Sequence, residues 1–211
     1  MCPLSGVWAA PQRSFYFTPE RNVFVIEIRK LTPDTVKLLW TVEDRRLDSE
    51  QVVVKPRAGG FELDYRPLPG ALWRVGNAER DIPGVEHDWL YGEDKALYLA
   101  WLDDKLAGQV LLELDENNLV RVRDIRVGMA MRKRGVATAM LNMAEDWARD
   151  KERGGLVAET QDVNAGACQF LTRYGFQLGG VDALRYAARS QSTIKAAGLR
   201  ETALFFYKFF R

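Results

Sequence analysis

The feature that most constrains the fold of this chain lies between residues 119 and 176, where strand patterns and helix patterns alternate. "LVRVRDIRV" (119–127) is rich in β-branched residues, as strands are. A helix is predicted from about Gly135 to Lys151, because apolar residues recur there at helical spacing: Val136, Met140, Met143 and Trp147. "LVAET" (156–160) is short and apolar, which is typical of a strand buried on both faces.

A second helix is predicted after Asn164, whose side chain can cap it, and Gly175 ends it. The flanking pattern predicts a strand at 22–30, a helix over 31–47, a hairpin over 51–68 reversing at Ala58-Gly59-Gly60, irregular structure over 70–94, strands at 95–103 and 105–115, and closing strands at 176–186 and 201–210. The fold class is therefore α/β, a mixed sheet with helices on its faces. We expect one domain over 1–211, with an N-terminal extension (1–20) and an acidic loop region (70–94).

Composition excludes several classes of protein. The net charge is +1, whereas proteins that wrap nucleic acid usually carry a basic excess. The chain has two cysteines, Cys2 and Cys168, and a single histidine, too few for a Cys/His zinc site, so we expect no metal and no structural disulfide. No apolar run is long enough to span a bilayer and no signal peptide is evident, so we expect a cytoplasmic protein that contacts neither membrane nor nucleic acid.

Charge is balanced overall but segregated along the chain. The segment from Arg121 to Arg134 contains six cations and one anion, Asp124. The segment from Glu79 to Asp94 contains six acidic residues and one cation. This segregation indicates one site for an anion and another for a cation, although two solvated loops would look the same.

The segment "MRKRGVATAM" (131–140) places three cations before the predicted helix that starts near Gly135. The first turn of a helix carries unpaired N–H groups and partial positive charge, so it binds phosphates. Small residues at 135, 137 and 139 leave room for a ligand near those amides. Cations at this end destabilise an isolated helix by about 0.3–1 kcal/mol each, a penalty that an anionic ligand would offset.

The spacing Arg132-x-x-Gly135-x-Ala137 resembles the pyrophosphate-binding motif of the GNAT superfamily of acetyltransferases. About thirty residues later, "NAGACQFLTRYGF" is similar to the second motif of that family, Asn-x-x-Ala-x-x-Phe-Tyr-x-x-x-Gly-Phe. Segments such as "VRDIRV", "GGFELDYRPLP" and "ETALFFY" resemble the streptothricin (nourseothricin) acetyltransferase subgroup, over roughly residues 20–211. The resemblance implies a GNAT-like fold: a central mixed β-sheet, helices on both faces and a splayed pair of parallel strands at 119–127 and 156–160.

The resemblance also implies acetyl-CoA as the co-substrate. Its pantetheine arm and acetyl carbonyl would meet the backbone of Ile125, Arg126 and Val127, and Asn164 would hydrogen-bond the pantetheine in addition to capping its helix. The pyrophosphate would lie against the turn and the first helical residues: Arg132, Lys133, Arg134, Gly135, Val136, Ala137 and Thr138.

Catalysis would be direct attack of a neutral amine on the thioester, which requires a route for a proton. The general-acid tyrosine of the family corresponds to Leu171 here, so Tyr174, and less so Cys168, are candidates to replace it. Asp124 and Glu159 are candidate bases, and each could equally be the ion-pair partner of a nearby arginine.

The acceptor is expected to be a small cationic amine, plausibly like streptothricin. Its predicted binding residues are Glu86, Asp88, Trp89, Tyr91 and Asp162, which offer negative charge and cation–π contact. Two alternatives stay open: acetylation of another amine (a polyamine or a peptide or protein amine), and a non-catalytic acyl-CoA-binding module. A monomer and a homodimer both stay open.

Overall fold

The computed structural model of the protein describes residues 13–17, 24–43, 45–75, 85–187 and 201–210. The strands are β1 (Arg13–Phe17), β2 (Phe24–Lys30), β3 (Arg45–Arg57), β4 (Gly60–Val75), β5 (Lys95–Leu102), β6 (Lys105–Asp115), β7 (Leu119–Val127), β8 (Gly155–Gln161), β9 (Gln177–Asp182) and β10 (Ala203–Phe209). The α-helices are α1 (Val85–Tyr91), α2 (Val136–Asp150) and α3 (Ala165–Tyr174), with short 3-10 helices at Val36–Leu38 and Met129–Met131. Strand β1 falls within the predicted N-terminal extension, and Glu79, Asp81 and the polar loop 188–200 lie outside the described residues.

Eight strands form one mixed sheet in the order β1-β2-β5-β6-β7-β8-β10-β9, and β3 and β4 form a separate two-stranded sheet. Every pairing in the large sheet is antiparallel except β7 with β8. The predicted α/β fold with a mixed sheet is confirmed. Strand β10 lies between β8 and β9, so the aromatic segment at 203–209 is an interior strand.

Side chains on β5 show how the sheet is covered on both faces. Ala96, Tyr98 and Ala100 pack into a large cluster that includes buried residues of α2 and α3. Leu97 and Leu99 pack into a second cluster with residues of the segment 31–40 and of α1. Because alternate residues of a strand point to opposite faces, these two clusters lie on opposite faces of the sheet.

The two parallel strands separate soon after they pair. Register joins Val120 to Leu156, Arg121 to Val157 and Val122 to Ala158, and the pairing ends there. An irregularity in the β6–β7 register follows directly, since Leu112 faces Val122 whereas Leu111 faces Asp124. Such bulges bend a strand and increase its twist. The predicted splayed pair is therefore present, and it opens a cleft in the middle of the sheet.

The helix predicted over 31–47 is wrong. Among the described residues of this range, only Val36–Leu38 is helical, as one 3-10 turn, and Leu39 is already extended with ψ 133°. Trp40 has φ 65°, a left-handed conformation that ends any helix at a bulky residue. The backbone N–H of Trp40 donates to Oε1 of Gln109 at 3.2 Å, and not to a carbonyl of a helix. Tertiary contact with the sheet overrides the helical pattern here.

The irregular segment predicted over 70–94 is also corrected. Strand β4 continues through Pro67 to Val75, and helix α1 forms at Val85–Tyr91. Asp48 pairs with Leu72 whereas Glu50 pairs with Pro67, so β4 carries extra residues opposite Ser49. Proline is tolerated there because β4 is an edge strand, with no further strand needing its missing N–H.

Candidate active site

A cleft of about 800 Å³ opens where β7 and β8 separate, and it is continuous with the turn into α2 and with one face of β3. The predicted site residues that line it are Asp124, Ile125, Arg126, Val127, Arg132, Lys133, Gly135, Val136, Ala137, Thr138, Glu159 and Asn164. Residues far apart in sequence thus meet in one place. Six others with described side chains do not line it: Asp88, Trp89, Tyr91, Arg134, Asp162 and Tyr174.

The turn into α2 presents backbone N–H groups to this cleft. Gly135 occupies the N-cap position with φ 85°, a conformation that glycine adopts most easily. The first intrahelical bond runs from the Ala139 N–H to the Gly135 carbonyl, and no side chain caps this helix. The amides of the first turn therefore point out of the helix end, where an anion is favoured by charge and by hydrogen bonding.

The cations before the helix have different roles. Arg132 donates from Nε to the Val127 carbonyl at 3.0 Å and from Nη2 to the Arg45 carbonyl at 2.5 Å. It therefore fixes the end of β7 to the start of β3 while its charge remains uncancelled by any carboxylate in these bonds. Lys133 is exposed beside it, with φ 62°. The cleft is thus electropositive at the helix end.

Asp124 is held from two sides. Arg126 donates to both carboxylate oxygens, at 2.8 and 3.0 Å, and Gln109 donates to Oδ2 at 3.1 Å. Gln109 is fully buried, with 0% exposure, and also accepts the N–H of Trp40. The guanidinium of Arg126 lies 5.0 Å from the centroid of the Trp40 ring. Gln109 and Trp40 were not predicted from the sequence, where both fall within ordinary strand and helix patterns.

Glu159, on the opposite side of the cleft, is also paired. Arg185 donates to its two oxygens at 3.2 and 3.0 Å, and the hydroxyl of Tyr186 donates to Oε1 at 2.7 Å. Burial alone would raise the pKa of Glu159, but the hydrogen bonds from Arg185 and Tyr186 outweigh it and hold that pKa below its ordinary value. Glu159 is therefore an anion at neutral pH and a weak base.

Arg185 and Tyr186 line the cleft and were missed by the sequence analysis, which placed them in a strand. Strand β9 instead ends at Asp182, whose carboxylate accepts the N–H groups of Leu184 and Arg185. This reversal turns the chain back toward Glu159. Aspartate commonly forms such turns, and its position after Gly-Gly-Val was the available signal.

Tyr174, the candidate to replace the tyrosine expected at Leu171, does not line the cleft. Its hydroxyl donates to Asn142 of α2 at 2.8 Å, and the Lys208 ammonium lies 4.1 Å from its ring centroid. Burial and the nearby charge of Glu145 raise the pKa of this phenol far above its usual value. Leu171 does line the cleft, but a residue three positions later on α3 faces α2 instead. Cys168 is buried, and burial raises the pKa of its thiol to about 12.

The acidic segment does not supply the cleft with side chains among the described residues. Trp89 is only 2% exposed and packs in the second core cluster, because α1 uses its apolar face to cover β5. Asp88 pairs with Lys95, and the exposed Tyr91 packs against His87. The side chain of Glu86 lies outside the described residues.

Asp162 has a structural role in place of the predicted acceptor contact. Its carboxylate accepts hydrogen bonds from Gln51 Nε2 at 2.7 Å and from the Thr202 N–H at 3.0 Å. Its carbonyl accepts the Val52 N–H at 2.8 Å. It therefore joins β3 to the chain after β8. Asn164 caps α3 through the Ala167 N–H at 3.3 Å and lines the cleft, so its two predicted roles remain compatible.

With this geometry in place, comparison with known proteins assigns the family. Residues 62–176, more than half of the chain, match the acetyltransferase (GNAT) family. The chain belongs to the GNAT acetyltransferase family. This match includes the parted strands, the turn into α2 and all of α3. The part of the cleft formed by these elements therefore lies within the family match, whereas the lining from β3 and from Arg185 and Tyr186 lies outside it.

Two relatives that are similar in sequence are both streptothricin acetyltransferases. The chain is 36% identical over 109 residues to streptothricin acetyltransferase A of Bacillus subtilis strain 168, covering 52% of this chain and 60% of that protein. It is 35% identical over 117 residues to streptothricin acetyltransferase of Escherichia coli, covering 56% of this chain and 64% of that one. Each match thus spans less than two thirds of the relative.

The fold is shared more widely than these sequence matches. A Bacillus anthracis strain Ames protein, assigned as a streptothricin acetyltransferase and solved with acetyl coenzyme A, superposes with a TM-score of 0.76 at 22% identity. The superposition covers 88% of this chain and 98% of that one, which extends the shared fold beyond the family match.

No described helix has the length and hydropathy needed to cross a membrane. No group of three His, Cys, Asp or Glu side chains within the described ranges is arranged to hold a metal ion.

Proposed function

We propose that this GNAT protein transfers the acetyl group of acetyl-CoA to a primary amine of a small cationic acceptor of the streptothricin type. The observation that carries the proposal is the cleft between β7 and β8, with the uncapped end of α2 at one end and paired carboxylates at the other. The relatives named above as streptothricin acetyltransferases support the choice of acceptor class.

Acetyl-CoA would use the helix end of the cleft. Its pyrophosphate would accept hydrogen bonds from the first-turn amides of α2, near the charges of Arg132 and Lys133. The pantetheine arm would follow the part of β7 at Ile125–Val127, which lies beyond the last pair with β8 and so has backbone groups without a strand partner on that side. Asn164, at the start of α3, lines the same path.

The amine would attack the thioester carbon from the side of Asp124 and Glu159. Both carboxylates are paired with arginine, and the lowered pKa of Glu159 makes it a poor base. We therefore assign them to attract and orient the ammonium group, which loses its proton to water before it attacks. The C–S bond then breaks, and the sulfur takes the proton that the nitrogen gives up. Tyr186 is the tyrosine that lines the described part of the cleft.

A thiol-release assay tests this function. The purified chain and acetyl-CoA are incubated with streptothricin, with polyamines and with a peptide that carries a free amine. Release of coenzyme A with the antibiotic supports the proposal, and selective release with a polyamine or the peptide would reassign the acceptor. If coenzyme A binds but no amine is acetylated, the chain is an acyl-CoA-binding module, the alternative that Leu171 at the usual tyrosine position keeps open.

A further inference from the structure

The carboxylates that line the described part of the cleft are Asp48, Glu50, Asp124 and Glu159. Asp124 is paired with Arg126 and Glu159 with Arg185. The side chain of Asp48 is 2% exposed and lies between Arg46, at 3.0 Å, and Arg74, at 2.7 Å. Each of these three carboxylates therefore already has a guanidinium partner.

Glu50 differs from the other three. It lines the cleft and is partly exposed, and it makes no hydrogen bond or ion pair with any residue that the structure describes. The charge of Glu50 acts on Tyr65: the pKa of Tyr65 is raised by burial, by Cys168 and by Glu50. A carboxylate that is partly shielded from water but unpaired attracts a cation more strongly than a fully solvated one.

The strand around Glu50 is fixed on both sides. Asp48 is anchored by its two arginines, and Arg46 also donates to Gln161 at 3.4 Å. On the other side, Gln51 and the Val52 N–H are bound by Asp162. Glu50 is therefore presented to the cleft from a strand that is tied to the end of β8. A binding group held in this way loses little freedom when a ligand arrives.

Arg173 is the cation that could compete for Glu50. It lies on α3, lines the same cleft and acts on Tyr65 in the opposite direction to Glu50. It is nevertheless exposed, and no N···O contact of 4.0 Å or less joins it to Glu50. An acceptor ammonium would meet Glu50 before any internal partner does.

We propose that Glu50 binds a second ammonium group of the acceptor, so that the cleft selects di- and polyamines over monoamines. One amine lies near Asp124 and Glu159 and attacks the thioester, while another is held by Glu50. The inference rests on the proposed function for its first amine. It assigns recognition of the cationic acceptor to β3, in place of the acidic segment around α1.

The test uses Glu50→Gln, with Glu62→Gln as the matched control. Glu62 lies on β4 of the same hairpin and does not line the cleft. Initial rates are measured with 1,5-diaminopentane and with pentylamine. In Glu50→Gln we expect KM for the diamine to rise about tenfold, a typical effect of removing one partner of a shielded ion pair, with little change for the monoamine or for acetyl-CoA. Glu62→Gln should behave as wild type.

Equal losses with both amines, or no loss at all, would overturn the proposal. So would an equal loss in Arg173→Gln, since Glu50 would then serve to hold Arg173. Calorimetric titration of the diamine into the coenzyme A complex separates this inference from the proposed function. Weaker binding to Glu50→Gln supports the site even if no amine is acetylated, whereas unchanged binding refutes it. Thermal unfolding of each variant checks that it is folded.

Discussion

The two ends of the cleft are built from different kinds of group. The end at α2 relies on the backbone, with the first-turn amides left without a described side-chain cap, and on Arg132, whose described bonds run to backbone carbonyls. The end at Asp124 and Glu159 relies on carboxylates that are each already paired with an arginine, Arg126 and Arg185 respectively. The first end is complete in one short segment of sequence. The second exists only after strands, loops and helices have come together.

The largest expected effect comes from breaking the backbone end with Gly135→Asp. The new carboxylate would occupy the space in front of the α2 amides and repel the phosphates of acetyl-CoA. We expect KM for acetyl-CoA to rise about 100-fold, corresponding to roughly 2.7 kcal/mol, in a steady-state thiol-release assay. The acceptor KM should change far less.

Gly59→Asp is the control for Gly135→Asp. Gly59 has φ 81°, close to the φ 85° of Gly135, but it lies in the β3–β4 turn, where no atom would contact an added Cβ. Both variants therefore carry the same backbone penalty, about 1–2 kcal/mol. If Gly59→Asp weakened acetyl-CoA binding as much as Gly135→Asp, the effect would be one of stability and the phosphate site would be wrongly placed.

The features of the backbone end could be predicted from the sequence, whereas the contacts of the side-chain end could not. The turn at Gly135 and the cap at Asn164 were predicted because local spacing determines them, whereas the splayed strands were expected only from the family resemblance. Trp89 was predicted to contact the acceptor but is buried away from the cleft, because the sequence does not show which aromatic residues are exposed. The pairing of Glu159 with Arg185 spans 26 positions and depends on the turn at Asp182, so no local pattern could show it.

The helix predicted over 31–47 does not form for the same reason: tertiary contacts decide the conformation of this segment. Its pattern of apolar residues suits a helix, but Leu39 packs into the second core cluster and the Trp40 N–H is bound by Gln109 of β6. Both contacts require the assembled sheet. Local propensity is a weak prior, and a few tertiary contacts of about 1 kcal/mol each are enough to override it.

The next largest effect should come from Glu159→Gln at the side-chain end. The variant keeps the shape of the residue but removes the charge that Arg185 and Tyr186 bind. We expect kcat/KM for the amine to fall about 30-fold, or roughly 2 kcal/mol of transition-state stabilisation, with KM for acetyl-CoA nearly unchanged. An equal rise in both KM values would show that the two ends are not independent.

Glu159→Gln also has a pH signature in stability. Because the pKa of Glu159 is lowered in the folded protein, its ion pair stabilises the fold above the ordinary carboxyl pKa of 4.5 and is lost as the pH falls through the folded value. The variant should be less stable than wild type by about 1 kcal/mol at neutral pH, since solvent at the rim screens the pair. Urea unfolding should show this difference vanish under acidic conditions. A difference that grew at low pH would contradict the assigned pairing.

A smaller effect is expected for Gln109→Leu. The side chain of Gln109 is fully buried. Its replacement leaves the backbone N–H of Trp40 without an acceptor and removes one of the hydrogen bonds to Asp124. We expect a loss of about 1–3 kcal/mol in unfolding free energy, the usual cost of an unpaired buried group. The acceptor KM should rise about fivefold because Asp124 is less well oriented, an effect of roughly 1 kcal/mol. An unchanged acceptor KM in a folded variant would remove Gln109 from the site.

The smallest effect on catalysis is expected for Tyr174→Phe, which tests whether α3 contributes a proton donor. The variant removes a hydroxyl that donates to Asn142, outside the cleft. It should therefore lower the unfolding free energy by about 1 kcal/mol, as the loss of one hydrogen bond usually does, and leave kcat unchanged. Tyr186→Phe is the matched comparison, since its hydroxyl donates to Glu159 within the cleft and its removal should lower kcat/KM for the amine severalfold. If Tyr174→Phe abolished turnover while Tyr186→Phe did not, the side chain of Tyr174 would have to leave α2 during the reaction, and the division between a backbone end and a side-chain end would need a third, mobile element on α3.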